Sequence, residues 1–146
     1  MDETILDRAL DVLMDMVEFY HDKLIKAECG GLTGIQEAQY RLLFQLCNTP
    51  MLPMSALGKK LYISKPYMTV LVDTLVEEGL VIRHYNPQDR RVINVSISEK
   101  GRKKLESVKN MIREQMRMII SDLPESDLQV LCSSGAKVTE IVSKIH

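Results

Sequence analysis

The chain has 146 residues, 45% of them hydrophobic and 27% charged, with a formal net charge of -1 at pH 7. This composition suits one ordinary globular domain with enough apolar material for a core, and it excludes a disordered chain. No apolar run reaches the ~18 residues of a membrane span. The acidic start, MDETILDRALD, also lacks the basic region of a secretory signal, so we expect a cytoplasmic protein without a membrane anchor.

Residue types that carry chemistry are sparse. The three cysteines, Cys29, Cys47 and Cys132, are far apart and show no CxxC or Cys/His spacing, so we expect reduced thiols rather than disulfides or a zinc site. The histidines are scattered, and no glycine-rich phosphate loop occurs. We therefore predict no catalytic residues, no metal site and no cofactor, and so no enzyme.

The small net charge hides an uneven distribution. Residues 55–104 contain ten Lys/Arg and five Asp/Glu, which gives +5, whereas the rest of the chain contains nine and fifteen, which gives -6. A basic middle inside an acidic frame suits binding to a polyanion through one face. The alternative is that these charges only solvate the surface.

The first predicted element is an amphipathic helix. Apolar residues recur at spacings of 4, 3, 4, 3 and 4, with acidic residues on a neighbouring face, and Gly30 and Gly31 end the helix. The apolar stripe consists of Leu6, Leu10, Leu13, Val17, Tyr20 and Leu24.

Short elements follow. Thr33 and Gln36 form a capping box that opens a helix ending before Asn48. Pro53 begins a second short helix, and Ser64 caps a third after a tight connection. The core face of the third helix follows the i, i+3, i+4, i+7 rule and consists of Met68, Leu71, Val72 and Leu75.

Gly79 ends this third helix, and two strands, LVIRH and VINVSIS, follow it with the turn YNPQDRR between them. Two short helices in a tight turn, followed by a β-hairpin, make a winged helix-turn-helix. In that fold the second helix of the pair enters the DNA major groove, and here the hairpin tip lies beside it.

The predicted DNA-binding residues lie on the outward side of the third helix and at the hairpin tip. Arg90 and Arg91 are too close to the tip to be buried, so we expect them to bind a phosphate or a minor-groove base edge, with Asp89 orienting one of them. The alternative is an exposed Asp89–Arg91 pair that only stiffens the hairpin and contributes ~0–1 kcal/mol. Asp73 would repel phosphates unless it accepts from a cytosine or pairs with a lysine. The full predicted set is Ser64, Lys65, Pro66, Tyr67, Thr69, Val70, Asp89, Arg90 and Arg91.

Two apolar helical stripes follow the hairpin, separated by SDLPESD. The first consists of Leu105, Val108, Ile112, Met116 and Ile119, and the second of Leu128, Leu131, Gly135, Val138, Val142 and Ile145. Further apolar positions make the terminal helices apolar over more surface than one neighbour could bury. We therefore predict a homodimer in which residues 1–30 and 105–146 form dimerisation helices around a winged helix-turn-helix lobe of residues 31–104. An intramolecular core is the alternative.

The run DRRVINVSISEKG resembles D-x-R-x(5)-L-T-x-x-G, the wing signature of the MarR family of transcriptional regulators. Its positions are Asp89, Arg91, Ile97 for Leu, Ser98 for Thr, and Gly101. LTGIQEAQYRLLFQL and LVDTLVEEGLVIR are also similar to that family's second helix and to the end of its recognition helix. The resemblance spans essentially the whole chain. It implies a homodimer that binds a pseudo-palindromic operator in double-stranded DNA, commonly as a repressor, and that often releases it when a small ligand or oxidant arrives.

Two recognition-helix positions depart from that family. Its members often carry arginines where this chain has Val70 and Thr74. Lys65, Tyr67 and Thr69 remain as polar candidates, while Val70 can offer only an apolar contact such as a thymine methyl. We therefore expect phosphate contacts to supply more affinity than base reading. The alternative is a degenerate winged helix that serves as a protein-interaction module or anti-regulator.

The resemblance also implies an effector site where the dimerisation helices meet the DNA-binding lobe. The candidate ligand-binding residues there are Met14, Tyr20, His21, Tyr40, Phe44 and Met111, although residues of these types also fill cores. Some relatives sense oxidants through one cysteine near the N-terminus. Cys29 and Cys47 are therefore candidates for redox sensing, which is a further alternative.

Overall fold

The computed structural model describes residues 3–20, 22 and 34–145. Its elements, in chain order, are α1 (Glu3–Phe19), α2 (Gly34–Asn48), β1 (Met51–Pro53), α3 (Met54–Leu61), α4 (Lys65–Glu77), β2 (Val81–Tyr85), β3 (Ile93–Ile97), α5 (Glu99–Ile120) and α6 (Glu125–Val142). This mainly helical chain with one small antiparallel sheet confirms the predicted fold class. The predicted helix end at Gly30 and Gly31, the stripe residue Leu24 and the capping box opened by Thr33 lie outside the described residues.

The core forms where α2, α3 and α4 pack with the sheet and the start of α5. The predicted core face of α4 is confirmed, because each of its four apolar side chains is at most 1% exposed. Burying one such side chain stabilises a fold by ~1.5–3 kcal/mol, so α4 is held in one rotation about its axis. The largest fully buried residues are Leu42, Leu46, Leu57, Met68, Leu71, Leu75, Leu105, Val72 and Val95.

The sheet has three strands in the order β1-β3-β2, whereas the sequence predicted only the β2–β3 hairpin. Met51–Pro53 pairs antiparallel with β3, placing Leu52 beside Val95. A strand of three residues is too short to show alternation, and Pro53 argues against a strand except at an edge or a strand end. Pro53 also caps α3, which begins at Met54, one residue later than predicted.

The turn between α3 and α4 is closed by two backbone hydrogen bonds. The Ile63 N–H donates to the Gly58 carbonyl at 2.9 Å, and the Tyr62 N–H donates to the Lys59 carbonyl at 3.3 Å. This is the Schellman pattern of a helix C-terminus. Its left-handed position is occupied by Tyr62, with φ of 55° and ψ of 43°.

The next helix begins as the sequence predicted. The Ser64 hydroxyl accepts from the Tyr67 N–H at 3.4 Å, and Pro66 lies in the first turn, where its missing N–H has no helical partner to lose. The Arg41 guanidinium, from α2, donates to the Leu61 carbonyl at 3.1 Å and satisfies an acceptor at the end of α3. Hydrogen bonds therefore hold the turn at both ends, at Leu61 to α2 and at Ser64 to the first turn of α4.

The start of α5 is joined closely to the end of α4. The Ser98 hydroxyl donates to the Gly79 carbonyl at 2.6 Å and accepts from the Gly101 N–H at 3.0 Å, so it caps α5. Gly79 ends α4 as predicted, with φ of 74°. At Gly101 a Cβ would overlap the Leu80 carbonyl oxygen and lie 2.8 Å from Ile97 Cγ1. Three positions of the wing signature therefore shape this junction.

Helices α1 and α6 are largely exposed to solvent in a single chain. Every side chain described in α1 is exposed, and α6 buries none of its residues. α5 buries Leu105 in the core of the lobe, buries Ile112 farther along, and runs without a break across residues 104 and 105. The predicted stripe to Ile145 was wrong at its end, because α6 stops at Val142. Within the described residues, no helix has the length and apolar character that crossing a membrane requires.

Replacing Gly101 with alanine is expected to destabilise the protein. The added Cβ meets backbone at the Leu80 carbonyl, so α5 must shift, at a cost of about 1–3 kcal/mol or more. Urea denaturation at fixed protein concentration measures the change in unfolding free energy. The control is Lys103→Ala, an exposed position on the same helix that should remain near wild type. Equal stability of the two variants would contradict the close approach at Gly101.

Candidate nucleic-acid interface

The outward side of α4 is exposed along its first two turns. Burial of the opposite side leaves Lys65, Pro66, Tyr67, Thr69 and Val70 facing solvent, as the sequence predicted. The N-cap residue just before them is exposed as well. These six predicted positions thus form one continuous surface at the start of the helix.

The hydroxyls on this surface are partly engaged by their own helix. Thr69 Oγ1 donates to the Lys65 carbonyl at 3.2 Å, and Thr74 Oγ1 donates to the Val70 carbonyl at 3.0 Å. Each hydroxyl oxygen keeps lone pairs that can accept from a donor on a base. Val70 is 60% exposed, so an apolar group stands between the two threonines. This surface can accept hydrogen bonds and contact a methyl group, but it has no arginine.

The carboxylate of Asp73 forms an ion pair with the guanidinium of Arg83, on β2. The sequence analysis considered a cytosine or a lysine as a partner for Asp73; the structure instead pairs it with Arg83, because the hairpin brings β2 against α4. The pair is partly exposed, so its stabilising contribution is small. The pair also matters for the charge of this surface, because the Arg83 guanidinium offsets the negative charge of Asp73 on the outward side of α4.

The tip of the hairpin is organised by side-chain oxygens that accept from the backbone. Asp89 Oδ1 accepts from the Arg91 N–H at 3.0 Å, and Asn86 Oδ1 accepts from the Gln88 N–H at 2.9 Å. Asp89 Oδ1 also lies 3.4 Å from Arg91 Nε, yet the Arg91 side chain remains 94% exposed. The Arg90 side chain is exposed and has no hydrogen bond or ion pair within the described residues. Both arginines therefore present charge to solvent.

A cleft of about 690 Å³ separates the start of α4 from the tip of the wing. Lys65 and Thr69 of α4 line it together with Arg91, so the structure brings predicted residues of the helix and the wing onto one surface. Lys59 and Tyr62 also line it, and the sequence did not identify them. The basic composition of residues 55–104 pointed in general to Lys59, whereas only the backbone geometry shows where Tyr62 lies.

A second, smaller cleft of about 220 Å³ lies between α2 and α5. Tyr40 and Met111 line it with Leu43 and Lys104, so two of the candidate effector residues come together. The Phe44 ring lies 6.2 Å from that of Tyr40, between ring centroids.

Two further effector candidates do not line this cleft. Met14 and Tyr20 are exposed on or just after α1 and do not line this cleft, and His21 lies outside the described residues.

The cysteines differ in environment. Cys47 is half-buried at the end of α2, with Arg102 Nη1 of α5 at 3.6 Å from its sulfur, while Cys132 is exposed on α6. Cys29 lies outside the described residues. In the part of the chain that the structure describes, no group of three His, Cys, Asp or Glu residues could hold a metal ion.

Comparisons with known proteins agree with this geometry. A profile of the MarR family matches residues 35–93. The chain is 25% identical over 125 residues to the uncharacterized HTH-type transcriptional regulator YdgJ of Bacillus subtilis, covering 86% of this chain and 76% of that protein. It is 27% identical over 107 residues to the HTH-type transcriptional repressor MdtR of the same species, covering 73% and 69%.

Solved structures show the same fold. The crystal structure of wild-type MarR in its apo form, from E. coli, matches with a TM-score of 0.66 and 25% identity, covering 88% of this chain and 96% of that one. The relatives and the matching structures are transcriptional regulators, a class that is not enzymatic.

Proposed function

Since this chain belongs to the MarR family of winged helix-turn-helix transcriptional regulators, we propose that it is a homodimeric repressor of a pseudo-palindromic operator. The observation that supports this most directly is the shared surface of Lys65, Thr69 and Arg91, where helix and wing meet. A repressor among its relatives, MdtR, is consistent with the sign of regulation. Such a protein works on chromosomal DNA, so its place is the cytoplasm.

DNA reading divides between the two parts of this surface. The start of α4 enters the major groove, where the Thr69 oxygen accepts from a base amino group and Val70 contacts a thymine methyl. The wing lies along the flanking backbone, where Arg90 and Arg91 bind phosphates or reach the minor groove. Asp89 holds the Arg91 backbone in place without covering its guanidinium.

Phosphate contacts carry the larger share of the affinity. The outward surface of α4 has no arginine that could bind a guanine edge through two hydrogen bonds, and such pairs supply ~1–3 kcal/mol of discrimination. The Asp73–Arg83 ion pair lets the rest of the helix approach DNA without strong repulsion. Binding should therefore depend steeply on salt.

Dimerisation is supported by the exposed apolar side chains of helices α1 and α6. Four of their apolar residues, Ile5, Leu10, Val130 and Leu131, are 50–61% exposed in one chain. Exposed apolar surface on this scale marks an association site, and identical chains associate most often about a two-fold axis. A two-fold axis presents two recognition helices to half-sites spaced by ~34 Å or a multiple of it.

A small effector would act through the cleft between α2 and α5. The cleft is lined by α2 of the lobe and by α5, which leads on to the C-terminal helix α6. A molecule bound there can therefore favour one position of the lobe relative to the dimerisation helices, and so one separation of the two recognition helices. Apolar walls together with Lys104 suit a small apolar acid.

A protein-interaction module is the second candidate, favoured by the exposed apolar Val70 on the recognition helix. A wing that binds protein has no need of two unburied guanidinium groups. Replacing both Arg90 and Arg91 with alanine should abolish duplex binding if the protein is a DNA regulator. It should leave partner binding nearly intact if the protein is an interaction module.

Arg91→Ala and Thr69→Ala should weaken DNA binding in different ways. Loss of Arg91 removes a phosphate contact from each protomer, so binding to every duplex falls and the slope of log K against log salt decreases by about 1 per contact. Loss of Thr69 mainly reduces the preference for operator over shuffled DNA. Fluorescence anisotropy across a salt series measures both quantities, with Arg117→Ala on α5 as the control. Identical effects of both variants on operator and shuffled DNA would contradict the assignment of phosphate contact to Arg91 and base reading to Thr69.

Leu131→Glu should dissociate the dimer. Wild type is expected to sediment at about twice its chain mass of 16.7 kDa. A carboxylate at Leu131 would be buried unpaired between protomers and should give monomers. Ser133→Glu introduces the same group on the opposite side of α6 and should remain dimeric. Analytical ultracentrifugation at micromolar concentration decides, and a monomeric wild type would contradict the dimer.

Met111→Trp should fill the cleft between α2 and α5. The variant is expected to bind operator DNA as wild type does, yet to resist release by small organic acids that release the wild type. Met118→Trp adds the same bulk at an exposed position of α5 outside the cleft and should leave release unchanged. Release of the Met111→Trp variant at wild-type ligand concentrations would place the effector site elsewhere.

A further inference from the structure

Tyr62 has a backbone conformation that its residue type does not favour. It occupies the left-handed position of the Schellman motif, where glycine is usual because a Cβ is disfavoured at positive φ. For a bulky residue such a conformation is uncommon, and it persists only where the surrounding structure determines it. Here the hydrogen bonds from Tyr62 and Ile63 to the end of α3 supply that constraint.

Among the residues whose structure is described, the side chain of Tyr62 makes no contact that would stabilise the fold in compensation for this backbone conformation. It is 94% exposed, and its hydroxyl has no hydrogen bond within the described residues. The neighbouring Ile63, by contrast, packs against the buried cluster. A glycine at position 62 would satisfy the same turn with less strain, so the reason for a tyrosine lies outside the fold.

Its position indicates what the side chain meets. Tyr62 lines the cleft that also includes Lys59, Lys65, Thr69 and Arg91. It precedes the N-cap of α4 by two residues, so it lies at the end of the recognition helix that enters the groove first. Three of the five other polar residues that line this cleft are cations, which makes a negatively charged backbone the matching ligand.

We propose that Tyr62 is a DNA-contacting residue whose hydroxyl donates a hydrogen bond to a backbone phosphate at the edge of the major groove. This rests on the proposed function and adds a contact to it. Tyrosine hydroxyls are among the groups that fix the register of a protein on a duplex through phosphates. The Gly58 and Lys59 carbonyls hold the left-handed turn in place, and the side chain of Tyr62 is left 94% exposed.

Two variants separate this role from a structural one. Tyr62→Gly removes the strain and the side chain, so its Tm should equal or exceed that of wild type while its binding to duplex DNA weakens by about fivefold or more. Tyr62→Phe keeps the ring and loses only the hydroxyl, and its binding should weaken to a similar extent. Because the hydroxyl is neutral, neither variant should change the slope of log K against log salt, unlike Arg91→Ala.

The outcomes are distinguishable. Wild-type affinity in Tyr62→Gly would overturn the contact, and wild-type affinity in Tyr62→Phe alone would overturn the hydroxyl–phosphate bond. A fall in Tm for Tyr62→Gly would show that the tyrosine stabilises the fold, which removes the ground for the inference. If wild type and Arg91→Ala bind duplexes equally weakly, the proposed function and this contact fail together. If wild type binds duplexes tightly, Arg91→Ala binds weakly and both Tyr62 variants bind like wild type, then only the Tyr62 contact fails.

Discussion

Burial of one side of α4 is the constraint on which the proposed DNA-binding surface depends. Met68, Leu71, Val72 and Leu75 pack into the lobe and fix the rotation of the helix, and rotation alone decides which residues point outward. Lys65 and Thr69 reach the cleft beside the wing because of that rotation. In the proposed complex, a change in the core face would therefore alter DNA recognition without replacing any of the proposed DNA-binding residues.

The junction between α4 and α5 connects this surface to the rest of the chain. Ser98 joins the Gly79 carbonyl to the start of α5, and the Lys100 ammonium donates to the Glu78 carbonyl at 2.8 Å. Gly101 lets the two segments approach within backbone contact. The end of the recognition helix and the start of the long helix α5 should therefore move together. In the proposed dimer, this stiffness is what would convert a change at the subunit interface into a change in recognition-helix spacing.

Periodicity and turn chemistry were sufficient to predict the helices of the lobe, the hairpin, the outward residues of α4 and the exposure of Arg90 and Arg91, because these follow from local rules. What escaped prediction depends on tertiary placement. β1 has too few residues for a pattern, and the partner of Asp73 is set by how the hairpin folds back on α4. Tyr62 is inconspicuous in the sequence, since only its backbone angle distinguishes it. The proposed contacts with DNA, with a second chain and with an effector go beyond what a single chain displays.

In the proposed function, helix α4 and the wing together read a two-fold symmetric DNA sequence. Repeated selection of bound duplexes from a random-sequence pool tests it most directly, because it assumes no operator. We expect enrichment of a pseudo-palindrome whose half-sites are about one helical turn, 10–10.5 base pairs, or a multiple apart. The enriched duplex should be preferred over a shuffled one at moderate salt. A pool that stays random after several rounds, with equal weak binding to both duplexes, would contradict it.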